Sequence, residues 1–170
     1  IPPAGYFPAI MAVLRRHGIA MIDDEIVCGF GRTGNWFGCQ TYDFQPDSMS
    51  LAKALSSAYL PISAVLLSPE LSDIVESEAR RVGIMGHGFT YTGHPVASAV
   101  ALKAIEIYQR RDLVGHVRKL APLFADRLRK LMDNPLVGET FSFGLIGGLE
   151  LVADRKTRRN FVQSAKVGPA

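Results

Sequence analysis

Cysteine is scarce. Cys28 and Cys39 are the two in 170 residues, too few for a disulfide scaffold and at no redox or metal spacing. A reduced, cytoplasmic setting is therefore expected. No apolar run approaches the roughly 20 residues of a membrane helix, because charges interrupt every hydrophobic stretch, so no membrane role is predicted. With 16 glycines and 10 prolines, the chain is neither collagenous nor low-complexity. What remains is 48% hydrophobic and 21% charged. That composition suits one globular domain, or parts of two, with a real core.

The net charge of +3 is unevenly spread. Residues 1–102 hold 6 Lys/Arg against 9 Asp/Glu, and residues 103–170 hold 13 against 7. The basic charges of the second half are interspersed with acids along helix-like segments and lack clustered aromatics. Solvated helix faces explain them, and nucleic-acid binding is not expected. The chain opens on Ile1 and Pro2-Pro3-Ala4-Gly5-Tyr6-Phe7, without a targeting pattern, and is expected to be processed or a fragment.

Apolar and turn residues alternate in a way that predicts an α/β protein. A short helix is expected over 8–17, stopped by Gly18. Ile19-Ala20-Met21-Ile22 reads as a strand buried on both faces, as in a parallel sheet, and it ends at Asp23-Asp24-Glu25. Further strands are expected over 47–52 and 63–67, a helix over 69–81, and a loop over 83–93. Helical periodicity resumes at Pro95, and again over roughly 112–132, where Pro122 either starts a new helix or bends this one. Ser142 to Val152 returns to strand character, with Gly144, Gly147 and Gly148 marking a bend or bulge. The tail ends at Gly168-Pro169-Ala170 with no structural stop. A boundary between two units is expected near 109–112.

Gly29-Phe30-Gly31-Arg32-Thr33-Gly34 has the glycine spacing of a dinucleotide-binding turn. That motif needs a helix starting within it to face the pyrophosphate. Asn35-Trp36-Phe37-Gly38-Cys39 has no helical period, and three acids precede the loop, so the dinucleotide reading is rejected. The four histidines, His17, His87, His94 and His116, form no ligand pair at helical spacing, and no metal site is expected.

Asp24 ends a strand, where open parallel sheets place their ligands. A carboxylate there is costly unless a cation or donors meet it. Lys53 follows 29 residues later between Leu51-Ala52 and Ala54-Leu55. Apolar surroundings disfavour the ammonium and favour the amine as a nucleophile toward aldehydes. A strand-end acid and a partly buried lysine are what pyridoxal phosphate requires: the lysine forms a Schiff base, and the acid keeps the pyridine nitrogen protonated. On spacing alone, a surface lysine beside a strand-end loop acid stays open as the plainer alternative.

Three stretches in order narrow this. Ile22-Asp23-Asp24-Glu25-Ile26-Val27-Cys28-Gly29-Phe30-Gly31-Arg32-Thr33-Gly34, then Leu51-Ala52-Lys53-Ala54-Leu55, then His87-Gly88-Phe89-Thr90-Tyr91-Thr92-Gly93-His94-Pro95 resemble the class III aminotransferases. These are pyridoxal 5'-phosphate enzymes of fold type I. The resemblance runs from Pro2 to Val152, and implies the later part of the large cofactor domain over 1–110 and the start of a C-terminal α+β small domain over 111–170. By the same resemblance Asp24 is the acid at the ring nitrogen and Lys53 the Schiff-base lysine. Ile26 packs on a ring face, and Phe89 and Thr90 reach the cofactor phosphate of a neighbouring subunit. A homodimer with shared active sites follows. Glu25 and Arg32 match positions that structure the loop. Trp36, Phe37, Tyr42-Asp43-Phe44 and Tyr59-Leu60-Pro61 resemble the omega-transaminase branch, which moves an amino group from an amine or amino acid to a keto acid such as pyruvate.

Some positions depart from the family pattern. Asp23 stands where a small apolar residue is more usual and is expected to weaken cofactor affinity through a second charge. Ala54 replaces a glycine and Thr92 a serine, both tolerable. The family's glycine-serine phosphate loop, ring-stacking aromatic and carboxylate-binding arginine lie outside these residues, so the isolated chain is expected to be inactive. A PLP aminomutase or decarboxylating transaminase shares the Lys/Asp core and is the alternative chemistry. A non-catalytic truncated remnant, prone to aggregation through exposed edges, is the alternative of another class.

Overall fold

The computed structural model describes residues 1–165 and 167. The chain end expected to lack a structural stop lies outside the described residues. Contacts divide the chain into two units, Pro2–Val114 and Gly115–Ala170. The structure is mixed helix and sheet, as the α/β expectation requires.

In the first unit, helix α1 spans Tyr6–Arg16 and strand β1 Ile22–Asp24. A four-residue helix, α2, covers Gly38–Thr41, strand β2 Ser48–Leu51 and strand β3 Ala64–Leu67. The sheet order is β1-β2-β3. β1 and β2 run parallel, with Asp24 opposite Ser50, and β3 is antiparallel to β2. Helix α3 (Pro69–Val82) starts where sequence places it: Ser68 Oγ accepts the Leu71 N–H at 3.3 Å and Pro69 needs no donor partner. It stops at Gly83, whose φ of +82° suits the left-handed cap. Helix α4 (Pro95–Arg110) is likewise opened by His94, whose Nδ1 accepts the Ala97 N–H at 3.4 Å.

β1 departs from expectation. The strand begins at Ile22 rather than Ile19: Ile22 pairs with Ser48, the first residue of β2, and the Met21 carbonyl accepts the Asp47 and Ser48 N–H groups at 2.9 and 3.1 Å. It is not buried on both faces, since Ile22 is 69% exposed. The core lies elsewhere. Leu51, Leu55 and Ala101 are buried together, with Phe30, Phe37, Met49, Ile62, Ala64 and Ile105 packed around them. Fully burying a leucine is worth about 1.5–3 kcal/mol, so Leu51 and Leu55 seat the β2 end and the turn after it.

Helix α5 (Leu113–Lys130) starts in the last two residues of the first unit, continues in the second, and passes through Pro122 as one helix. Strands β4 (Val137–Phe143) and β5 (Ile146–Leu151) form an antiparallel hairpin, turning at Gly144 with φ +58°. β4 was not expected from sequence. The irregularity in the hairpin lies between Val137 and Glu139, not at Gly147 or Gly148. Gly147 instead marks close packing: a Cβ there would meet Leu128 Cδ1 at 2.4 Å and Phe124 Cε1 at 2.7 Å. No helix among the described residues is long and apolar enough to cross a membrane.

Candidate active site

Alternation along an extended strand sends successive side chains to opposite sides. Asp24 therefore faces away from Asp23 and Glu25, and the two sides of β1 do different work.

On one side, Asp24 and Lys53 stand at the carboxyl ends of two paired parallel strands, where such sheets open to ligands. Asp24 closes β1, and the Glu25 N–H extends the ladder to the Ser50 carbonyl at 3.0 Å. Lys53 lies three residues past Ser50, in a single 3₁₀ turn over Lys53–Leu55. Asp24 is exposed, and its Oδ1 accepts the Ile26 N–H at 3.1 Å. Lys53 is also exposed rather than partly buried as expected, because the apolar neighbours Leu51 and Leu55 turn into the core and the lysine turns out. Among the described residues no side-chain hydrogen bond or ion pair occupies the Lys53 amine. A carboxylate and an unengaged amine at adjacent strand ends are the donor set that a pyridine ring bearing an aldehyde needs. Ile26, half-buried, follows Asp24 by two residues.

On the other side, Glu25 is 1% exposed, and its Oε1 accepts the Cys39 N–H at 2.8 Å. This clamps the glycine loop from its start to the first turn of α2. Gly29 and Gly38 let the loop close on the acid. A Cβ on Gly29 would meet the Glu25 carbonyl oxygen at 2.7 Å, and one on Gly38 would meet Glu25 Oε1 at 3.2 Å. The glycine spacing thus serves loop closure, in line with the rejected dinucleotide turn and with a structural Glu25. Arg32 is exposed on the same loop.

Asp23 Oδ2 and Glu25 Oε2 are buried without a hydrogen-bond donor. Two carboxylates cannot satisfy each other unless one carries a proton. Burial first, then the Glu25 charge, its hydrogen bond and the Asp24 charge push Asp23 up to about 7. Below about pH 7 Asp23 carries a proton that it can share with Glu25. Strand alternation points Asp23 away from Asp24, yet the Asp24 charge still contributes to the raised Asp23 value. Burial, Glu25 and Asp23 also push the Cys39 thiol up to about 11, and Cys28 is raised by the same causes. Neither cysteine is activated.

Phe89 and Thr90 belong to an exposed loop ahead of α4, with Phe89 77% exposed. The Phe89 N–H donates to Thr92 Oγ1 at 2.8 Å, and its ring meets His87 edge-on at 5.5 Å. Among the described residues no hydrogen bond, ion pair or ring contact joins this loop to Asp24 or Lys53. Sequence reasoning missed Tyr108, whose hydroxyl reaches the turn that carries Lys53.

The family model described as aminotransferase class-III matches residues 1–168. The mitochondrial gamma aminobutyrate transaminase 1 of Solanum lycopersicum is 47% identical over 167 residues, 98% of this chain and 32% of the relative. Vanillin aminotransferase of Capsicum frutescens is 45% identical over 168 residues, 99% of this chain and 37% of the relative. The omega transaminase of Pseudomonas jessenii in complex with PMP superposes with a TM-score of 0.92 at 43% identity, over 95% of this chain and 36% of that one. The chain spans about a third of the length of the curated relatives it matches.

Proposed function

The chain belongs to the class III aminotransferase family, whose fold is type I, and from that premise we propose that the whole protein transfers an amino group from an amine or amino acid to a keto acid such as pyruvate. The observation that carries this is the placement of Asp24 and the unengaged Lys53 amine at the ends of paired parallel strands β1 and β2. The family's cofactor is pyridoxal 5'-phosphate, and the donor set fits it. When bound, it supplies an aldehyde that takes up amines and a ring that accepts the electron pair of the substrate carbon. Asp24 would hold the proton on the ring nitrogen of the bound cofactor. The Lys53 amine would hold the cofactor through its aldehyde and would serve as the base and acid that moves the substrate proton. Ile26 would line one side of the ring.

The reading extends to a homodimer in which Phe89 and Thr90 serve the partner's cofactor phosphate. The exposure of that loop supports it: Phe89, Tyr91, Ile84 and Met85 all present large apolar surface to solvent. We assign residues 1–110 to the large cofactor domain and 111–170 to the start of the small domain, supported by the division of contacts at Val114 and Gly115. The omega-transaminase branch is supported by the likeness to the Pseudomonas jessenii enzyme. A reducing compartment suits the two free cysteines, cytoplasmic in the sequence expectation and mitochondrial in the tomato relative's name.

Asp24→Ala in the holoenzyme tests the assignment. Turnover is expected to fall by about a thousandfold, the scale of losing electrostatic stabilisation of a developing charge, while the thermal midpoint stays close to the parent's because Asp24 is exposed. Near-normal turnover would refute it.

A further inference from the structure

The turn after β2 holds Lys53 in a backbone conformation that few L-residues adopt. φ is +47° at Lys53, +52° at Ser57 and +60° at Ala58. Left-handed residues without glycine persist where the surroundings fix them, and they gather at functional sites. Part of the fixing is local. The Lys53 carbonyl accepts from Ser56 N–H at 3.3 Å and Ala58 N–H at 3.4 Å, and Ser56 Oγ donates to the Leu60 carbonyl at 2.6 Å.

The rest comes from 54 residues away. Tyr108, in the last turns of α4, is 8% exposed. Its hydroxyl donates to the carbonyl of Ala54, next to Lys53, at 2.7 Å. The same oxygen bonds the Ser57 hydroxyl. With its one proton given to Ala54, the phenol oxygen accepts from Ser57. One buried hydroxyl therefore ties together both ends of the turn that presents the lysine. The Tyr108 ring is seated beside Phe30, centroids 6.4 Å apart, and Phe30 packs on the core of Leu51, Leu55 and Ala101.

We propose that Tyr108 is a positioning residue for Lys53: its hydroxyl, bonded to Ala54 and Ser57, fixes the turn from which the lysine amine reaches the reacting carbon. The inference rests on the assignment of Lys53 under Proposed function. Tyr108→Phe keeps the packed ring and removes both hydrogen bonds, so it frees the turn without emptying the core. Tyr108 itself is buried, and the loss is expected on the step that needs the amine in place.

The test compares the holoenzyme with Tyr108→Phe, Ser57→Ala and the double variant. For Tyr108→Phe, kcat is expected to fall about tenfold with KM within about twofold of the parent. The pH midpoint of the bound cofactor's visible absorption band is expected to shift, and borohydride is expected to trap a smaller fraction of cofactor on Lys53. Ser57→Ala should act in the same direction more weakly, and the double variant should be no worse than Tyr108→Phe, since the residues act as one unit. A lower thermal midpoint with kcat, band midpoint and trapping all unmoved would reduce Tyr108 to a packing residue and overturn the proposal. If Tyr108→Phe fails to fold, Ser57→Ala decides it, and an unmoved band midpoint there refutes positioning. Trapping on a lysine other than Lys53 in the parent enzyme would refute the Lys53 assignment itself, and this proposal with it.

Discussion

Glu25 accepts the backbone N–H of Cys39 across 14 residues of glycine-rich loop, at 2.8 Å and shut away from water. The bond joins the residue after Asp24 to the first turn of α2, so the acid next to the proposed ring-nitrogen partner is an anchor for the backbone around it.

Removing that anchor should be costly. Glu25→Ala leaves the buried Cys39 N–H without an acceptor and opens a cavity, and is expected to destabilise the protein by about 3 kcal/mol. Glu25→Gln keeps an acceptor oxygen and should cost markedly less. Chemical denaturation of the two variants checks the order, and equal losses would contradict it.

Asp23 sets a pH dependence. Its folded value is raised to about 7 from 3.8, so between those limits the native state holds a proton that the unfolded chain has released. Stability from this group is complete below about 4 and declines as pH rises through 7. Asp23→Asn keeps an N–H donor toward Glu25 at every pH and should flatten that decline. Thermal midpoints from pH 5 to pH 8 measure it: the parent loses ground to the variant as pH rises, and parallel curves would refute the shared proton.

Gly147 has no room for a methyl group against Leu128 and Phe124. Gly147→Ala is expected to destabilise the α5–hairpin unit by about 1–3 kcal/mol through overpacking. Gly86, with open space around its absent Cβ, is the control, and Gly86→Ala should leave the denaturation midpoint nearly unchanged.

Where local chemistry decides an element, the sequence was readable. Ser68-Pro69 and Gly83 bound α3, and His94-Pro95 opens α4, because caps act within a few residues. The strand-end placement of Asp24 and Lys53 was legible for a similar reason, since ordered motifs and turn signals fix where β1 and β2 stop. The misreadings came from long-range partners. The apolar run Ile19–Ile22 suggested a buried strand, yet pairing is set by β2, and β2 takes the Met21 carbonyl and leaves Ile22 in solvent. β4 went unseen because Gly138, Glu139 and Thr140 carry little strand signal before β5 is there to pair with them. The protonated Asp23 and the Tyr108 hydroxyl depend on groups brought together only by folding, and no spacing rule reaches them.

The most direct test is to reduce the holoenzyme with borohydride and map the pyridoxyl adduct by peptide mass spectrometry. Labelling is expected to be confined to Lys53 and abolished in Lys53→Ala. Labelling spread over other lysines, or unchanged in Lys53→Ala, would contradict it.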